Sequence, residues 1–298
     1  MSSSGYASGG IVLRQTFNSL SDQLYTTPTH FLLELIQNAD DNTYNHEDIP
    51  RLHLSLYKKK GKIFFRSDCN EIGFTFQQLD ALARIGKSTK KTITGGRKGY
   101  IGEKGIGFKS VFKVADKVRI ASGYYEFKLD RRQTIGMMLP IPACFPSDDR
   151  VEGHTQVLLK IKSEDSHGQI KRELDGIEPQ ILLFIRKLQQ LDVSVDGRDR
   201  EYRLQKQGSD DDFGGETNTI VSTRGGITRE TKYVIHRHTV KDLAPDSRRS
   251  GVDASEIVLA FAVNDNATPI TKPQHVFAFL PVHCYGFSVS WTHLSMAQ

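Results

Sequence analysis

The sequence predicts an α+β fold, and three patterns carry the prediction. Phe31, Leu32, Leu35, Ile36 and Ala39 fall on one face at about 100° per residue, the mark of an amphipathic helix. Leu52, Leu54 and Leu56 alternate with Arg51, His53 and Ser55, the period of a half-buried strand. From Leu191 onward strand-like patterns dominate, so a partial β-rich second unit is expected over 191–298.

The elements follow in order. Met1 to Gly10 is rich in Ser and Gly and reads as a flexible tail. Phe17, Leu20, Leu24 and Tyr25 suggest a short helix before Pro28, and Thr29 is a candidate N-cap for the helix that follows. That helix should end in the polar cluster Asn42–Asn45. Lys58-Lys-Lys-Gly61 predicts a turn, and Ile63-Phe-Phe-Arg66 the returning strand of a hairpin. Thr75 with Gln78 forms a capping-box signature ahead of Leu79, Leu82, Ala83 and Ile85, with Gly86 as the C-terminal cap. Phe108, Val111, Phe112 and Ala115 predict another helix. Strands are expected at Val118–Ile120, Tyr124–Leu129, Gly136–Met138 and from Gly153 to Ile161, with a proline-marked loop at Pro140, Pro142 and Pro146. Ile170, Leu174 and Ile177 predict a helix, and Ile181, Leu182, Phe184, Ile185 and Leu188 the buried face of a second; together they make 166–190 a pair of connecting helices. Asp196-Gly197 is a hairpin turn, Ser209 to Glu216 an acidic loop, and Ile220–Thr239, Glu256–Val263 and Val276–Val282 are strand regions. No internal repeat is visible.

The chain has 298 residues, 38% of them hydrophobic, enough for a substantial core. No apolar run approaches the roughly 18 residues that a bilayer span needs, and the N-terminus has no signal-peptide pattern, so a cytoplasmic or nuclear setting is expected. The three cysteines, Cys69, Cys144 and Cys284, are far apart without metal-ligand spacing and read as free thiols. The net charge of +5 could suggest nucleic acid, but the basic residues concentrate in one loop region.

Glu34, Asn38 and Asp41 recur at i, i+4 and i+7 beside the apolar face of the first long helix. A polar stripe of this kind is most often a solvated face. It can also meet one ligand, the carboxylate polarising a water and the amide oxygen binding a hard cation such as magnesium. Asp68, at a strand end, is placed to accept from a ligand amine, although a turn Asp is the commoner role. From Lys87 to Lys104 the chain is Gly-, Lys- and Thr-rich, and Lys87, Lys90, Lys91, Arg97, Lys98 and Lys104 are opposed by Glu103 alone, a composition suited to a lid over a polyphosphate. Gly102-Glu-Lys-Gly105-Ile-Gly107-Phe108 then leads into the helix beginning, where glycines permit close approach and free N–H groups attract anions. The run matches neither the Walker loop nor the dinucleotide fingerprint.

Glu34-Leu-Ile-Gln-Asn38-Ala-Asp-Asp41, Asn70-Glu-x-Gly73-Phe74, Ile85-Gly-Lys-Ser-Thr-Lys90, Gly102-Glu-Lys-Gly-Ile-Gly-Phe-Lys-Ser-Val-Phe112 and Gly153-His-Thr155 lie in the order and spacing of a known family. Over roughly Phe17 to Ile161 the chain resembles the GHKL (Bergerat-fold) ATPases of the heat-shock-chaperone type, and most closely their sacsin and NO VEIN branch. Val276-Phe-Ala-Phe-Leu-Pro281 and Tyr285-Gly-Phe287 resemble that branch's second unit. The resemblance implies a two-layer α/β sandwich over 11–165, a mixed sheet covered by helices with ATP between the helices beneath a lid. It implies that Glu34 is the general base, that Asn38 holds Mg2+ and that Asp41 lines the pocket. Lys87, Ser88 and Thr89, together with Gly102, Lys104, Gly105, Ile106, Gly107, Phe108 and Lys109, would contact nucleotide, and Thr155 would support adenine. The family's Asp-x-Gly-x-Gly box is altered: counting back from Gly73 puts Cys69 at the adenine-reading Asp, Asp68 is one residue off, and Asn70 fills the first Gly position. Asp68 is the favoured base reader and Asn70 the alternative. ATP binding with magnesium, weak hydrolysis, lid closure and a protein client follow as expectations. A non-catalytic nucleotide-sensing scaffold is the main alternative, and a DNA-processing or histidine-kinase relative is disfavoured.

Overall fold

The computed structural model describes residues 29–83, 107–133, 136, 137, 139–210, 215–241, 255–264, 268, 270, 273–278 and 280–288. The expected helix at Phe17–Tyr25, the Gly86 cap and the basic segment Lys87–Lys104 lie outside them. The chain divides into two compact units: Met1–Ile177 with Arg186–Arg200, and Glu178–Ile185 with Glu201–Gln298.

The first unit is built on a mixed sheet. Helix α1 (His30–Asp41) precedes the hairpin β1 (Arg51–Lys59) and β2 (Lys62–Cys69), and helix α2 (Phe76–Ala83) follows. Strands β3 (Ala115–Ser122), β4 (Tyr125–Asp130), the short β5 (Ile141–Pro142) and β6 (Thr155–Ile161) come next, then helix α3 (Glu164–Asp175) and β7 (Gln190–Val195). Their spatial order is β7-β1-β2-β6-β3-β4-β5. β7 runs parallel to β1, and β1, β2, β6, β3, β4 and β5 pair antiparallel in turn. The strand expected to open the second unit at Leu191 thus belongs to this sheet.

α1 buries the expected face, Phe31, Leu32, Leu35, Ile36 and Ala39. Each of the larger side chains contributes about 1.5–3 kcal/mol by leaving water. Phe31 meets Phe65 of β2 edge to face, with centroids 5.3 Å apart. Since side chains alternate along a strand, this contact marks Ile63, Phe65, Ser67 and Cys69 as the α1 face of β2. The register Leu56↔Phe65, Leu54↔Ser67, Leu52↔Cys69 puts the three leucines on the same face. Thr29 occupies the N-cap position of α1 but makes no side-chain cap bond. The Thr75–Gln78 capping box forms reciprocally: Thr75 N–H donates to Gln78 Oε1 at 2.7 Å, and Gln78 N–H to Thr75 Oγ1 at 3.3 Å.

Several expected elements differ. β1 runs through Lys58 and Lys59, so the turn contracts to Lys60-Gly61, both at positive φ. The helix expected from Phe108 is a 3-10 segment, Gly107–Lys113, and Ala115 already belongs to β3. Gly136 is not in a strand; its N–H bonds Gln133 O and its carbonyl accepts from Asp130 N–H, which closes a turn. The second connecting helix is a single turn, α4 (Ile181–Phe184), in the second unit. Beyond it the N–H groups of Arg186, Lys187 and Leu188 are taken by the carboxylate of Asp40 rather than by preceding carbonyls, so the helix stops.

In the second unit β8 (Arg198–Asp210, in this unit from Glu201), β9 (Gly215–Arg224), β10 (Ile227–Val240) and β11 (Ser255–Val263) lie side by side in that order. The acidic loop read from Ser209 is shorter, because strand reaches Asp210 and resumes at Gly215. β12 (Pro273–Ala278) and β13 (Leu280–Ser288) form a separate antiparallel pair. Among the described residues, no helix is long and apolar enough to cross a membrane.

Candidate functional site

The polar stripe of α1 is present as read. Glu34 and Asn38 are half-buried, and Asp41 is buried at the helix end. One turn before Glu34, His30 Nδ1 lies 3.6 Å from Glu34 Oε1. Burial, helped by the charge of Lys113, pushes the His30 pKa below its ordinary value. Neutral imidazole is therefore the favoured form beside the carboxylate at neutral pH. Two carboxylates and a carboxamide along one helix are hard oxygen donors of the kind magnesium takes together with substrate phosphates. Among the described residues no group of His, Cys, Asp and Glu could by itself cage a metal ion.

The ends of β2, β6 and β3 meet at Cys69, Thr155 and Ser122. Cys69 and Thr155 are register partners and share a face. Thr155 Oγ1 lies 2.6 Å from Ser122 Oγ, which accepts from Phe74 N–H at 2.8 Å. Tyr44 bridges strand and helix: its hydroxyl donates to Ala39 O at 2.6 Å and lies 3.1 Å from Cys69 Sγ. Burial pushes the Cys69 thiol up to about 12 and raises the Tyr44 hydroxyl as well, so both stay protonated. Glu71 is buried close by, its charge adding to both shifts. Gly73 closes this end. It sits at φ +94°, and a Cβ there would come within 2.9 Å of Gly123 N, so only glycine lets the loop press against the β3–β4 turn.

Asp68 is elsewhere. As the neighbour of Cys69 it points to the opposite face, where Arg66 Nε donates to its Oδ2 at 2.8 Å and Gln156 Nε2 to its Oδ1. The favoured base reader is therefore held in a buried network away from α1. Asn70 is engaged too: its Oδ1 accepts from Arg51 N–H at 2.8 Å and its Nδ2 donates to Ile49 O at 2.9 Å, which ties the end of β2 to the start of β1. Cys69 and Thr155 thus lie on the sheet face that carries α1, and Asp68 lies on the opposite face.

Gly107 and Phe108 open the 3-10 segment, which packs against α1, and Lys109 is buried within it. Burial lowers the Lys109 ammonium to about 8. Lys87, Ser88, Thr89, Gly102, Lys104, Gly105 and Ile106 lie outside the described residues. The sequence reading missed His30, Tyr44 and Ser122. His30 sits at i−4 from Glu34, a spacing that could have flagged it, whereas Tyr44 and Ser122 join the group only through tertiary packing.

Part of the chain is similar in sequence to the heat-shock-90 and HtpG chaperones. Identity is 28% with chaperone protein HtpG of Helicobacter pylori, over 55% of this chain and 29% of that protein, and 33% with the mitochondrial heat shock protein 90-6 of Arabidopsis thaliana, over 34% and 15%. Across 92% of its length the chain is 32% identical to protein NO VEIN of Arabidopsis thaliana, and it spans 10% of that protein. No family model matches.

Proposed function

We propose that this chain is an ATP-binding, chaperone-like domain of the GHKL class, a two-layer sandwich of sheet and helices that holds magnesium-ATP against α1. The observation that carries the reading is the Glu34–Asn38–Asp41 stripe set beside an apolar face packed on the sheet, with Cys69 and Thr155 at the strand ends on that same side. Asn38 would hold magnesium through its amide oxygen, with Asp41 close by; the ion supplies neutralisation of phosphate charge. Gly107 and Lys109, with the glycine-rich run before them, serve the phosphates. The base end is read by neutral groups, Cys69, Thr155 and Ser122, while Asp68 and Asn70 maintain the sheet.

Hydrolysis assigns Glu34 as general base: it takes a proton from water as the water oxygen bonds to the terminal phosphorus, and the bridging P–O bond breaks toward ADP. A second reading, binding without turnover, is favoured by His30, which sits against that carboxylate. Binding and closure would in either case change contact with a protein partner.

Calorimetric titration of the 298-residue chain with magnesium-ATP tests the reading. The wild type is expected to bind and Asn38→Ala to lose affinity; a folded wild type that binds nothing overturns it. Turnover that vanishes in Glu34→Ala while binding persists selects the hydrolytic reading over the sensor.

A further inference from the structure

We infer that Asp40 and Lys187 are positioning residues of the α1 site: together they lock the last turn of α1, which carries Asn38 and Asp41, to the segment Arg186–Leu188, and nucleotide affinity depends on that lock. The inference rests on the nucleotide-binding reading above.

Asp40 is 1% exposed. Its Oδ1 accepts from the N–H groups of Arg186 at 2.9 Å, Lys187 at 2.7 Å and Leu188 at 3.0 Å, and its Oδ2 from Arg186 N–H at 3.0 Å. Successive backbone N–H groups converging on one point make an anion-holding concavity. Here a carboxylate of the chain itself fills it. The contact is returned in the other direction. Lys187 Nζ donates to Asp41 O at 3.1 Å and to Asn42 O at 2.6 Å. These carbonyls lie at the negative end of the helix dipole, where the last turn leaves carbonyls without helical partners. α1 has no basic residue in its own last turn, so Lys187 supplies the cation that end favours. Gln189 and Gln190 N–H then donate to Pro50 O at 3.0 and 3.1 Å, which fixes the same segment to the start of β1.

The lock grips the residues the site needs. Asp41 is at once a member of the polar stripe and the residue whose carbonyl Lys187 holds. Asn38 lies in the same turn, and Asn42 N–H bonds back to its carbonyl at 3.1 Å. Helix ends fray unless they are held, and a binding constellation loses affinity when its members drift by about 0.5 Å. A carboxylate and an ammonium that share no atom with the ligand therefore set where the ligand's donors stand.

The test is titration of the full chain with magnesium-ATP, comparing wild type, Asp40→Ala, Lys187→Met and Lys187→Arg. Folding is checked by circular dichroism and by amide exchange in β2 and β6. Asp40→Ala and Lys187→Met are expected to bind about 10- to 100-fold more weakly, the cost usual for a residue that orients a ligating neighbour. Lys187→Arg should restore most of the affinity. In the wild type, nucleotide should slow exchange of the Arg186, Lys187 and Leu188 amides, and in Lys187→Met it should slow them less. Should Asp40→Ala fail to fold, Lys187→Met decides, because it leaves the carboxylate and its N–H partners in place. Folded variants that melt lower yet bind as tightly as wild type reduce the lock to a helix cap and overturn the proposal alone. A folded wild type that binds no nucleotide removes the parent reading as well.

Discussion

The two faces of the first unit's sheet are made from the same strands and could hardly differ more. On the α1 side, β1, β2 and β6 present Leu52, Leu54, Leu56, Phe65, Ser67, Cys69, Thr155, Val157 and Leu159. On the other, the alternate positions present His53, Arg66, Asp68 and Gln156, with Phe64 and Leu158 beyond them. There Gln156 donates to Asp68 and to Asp149 O and accepts from Arg150 and from Val151 N–H, so the segment leading into β6 is pinned over the face. One face places apolar bulk and neutral polar groups beneath α1; the other ties charges into a closed network. The strand period of two is the reason, since a shift of one residue exchanges the faces.

The largest effect expected from breaking this division comes from the apolar face. Phe65→Ala removes a fully buried ring and its edge-on contact with Phe31, and should cost about 3–5 kcal/mol in urea unfolding. A loss below about 1 kcal/mol would mean that α1 is not seated there. Asp68→Ala tests the other face. It takes a carboxylate partner from Arg66 and from the fully buried amide of Gln156, leaving each its bond to Asp149 O, and should cost about 3 kcal/mol. Its magnesium-ATP affinity, measured at a temperature where the variant is folded, should equal that of wild type. A selective loss of nucleotide with stability intact would return Asp68 to the site.

This pair also shows how much could be read from the chain alone. The helix, its buried face, its polar stripe, the hairpin and the capping box each depend on residues near one another in sequence, and each is found where the pattern put it. Choosing Asp68 over Cys69 required knowing which way β2 faces. All three residues of Ser67-Asp68-Cys69 are buried, so burial gives no alternation at the strand's end. The deciding contact, Phe31 with Phe65, joins residues far apart in sequence. The second connecting helix stops short for a similar reason: Asp40 captures the amides after Ile185, and no local pattern near 186 announces an acceptor 146 positions away.

Lys109 sharpens the contrast, because it is an ammonium buried in the 3-10 segment on the α1 side. Its pKa falls from an ordinary value near 10.5 to about 8. Below pH 8 both folded and unfolded chains carry the proton, and the fold bears the full desolvation penalty, up to about 3 kcal/mol. Between about pH 8 and pH 10.5 the folded chain has released the proton and the unfolded chain still holds it, so stability rises with pH. Lys109→Met should therefore be more stable than wild type at pH 7, and its advantage should shrink as pH climbs through that window. Parallel urea midpoints across the window would settle this; an advantage that stays constant would place the ammonium in solvent.

The smallest effect, at the strand end of the helix side, bears most directly on the division between the faces. Tyr44 has its hydroxyl between Ala39 O and Cys69 Sγ, so Tyr44→Phe loses bonds to both and should cost about 1 kcal/mol. Burial is the main cause holding the Cys69 thiol near 12, and the Tyr44 bond acts against it, so the substitution should raise the thiol further. Because the folded pKa lies above the ordinary value of 9.0, the thiol's contribution to stability is complete below about pH 9 and declines as pH rises toward 12. Alkylation followed by peptide mapping at pH 8 reads the same property without unfolding. Cys144 is exposed and Cys69 buried, so Cys69 should react on the order of 100-fold more slowly, and more slowly still in Tyr44→Phe. Equal rates at the two cysteines would mean that the strand end opens to solvent, and the uncharged reading of that end would fail. Slow modification that magnesium-ATP slows further would connect the buried thiol to the nucleotide itself, since Tyr44 reaches α1 at Ala39, between Asn38 and Asp40.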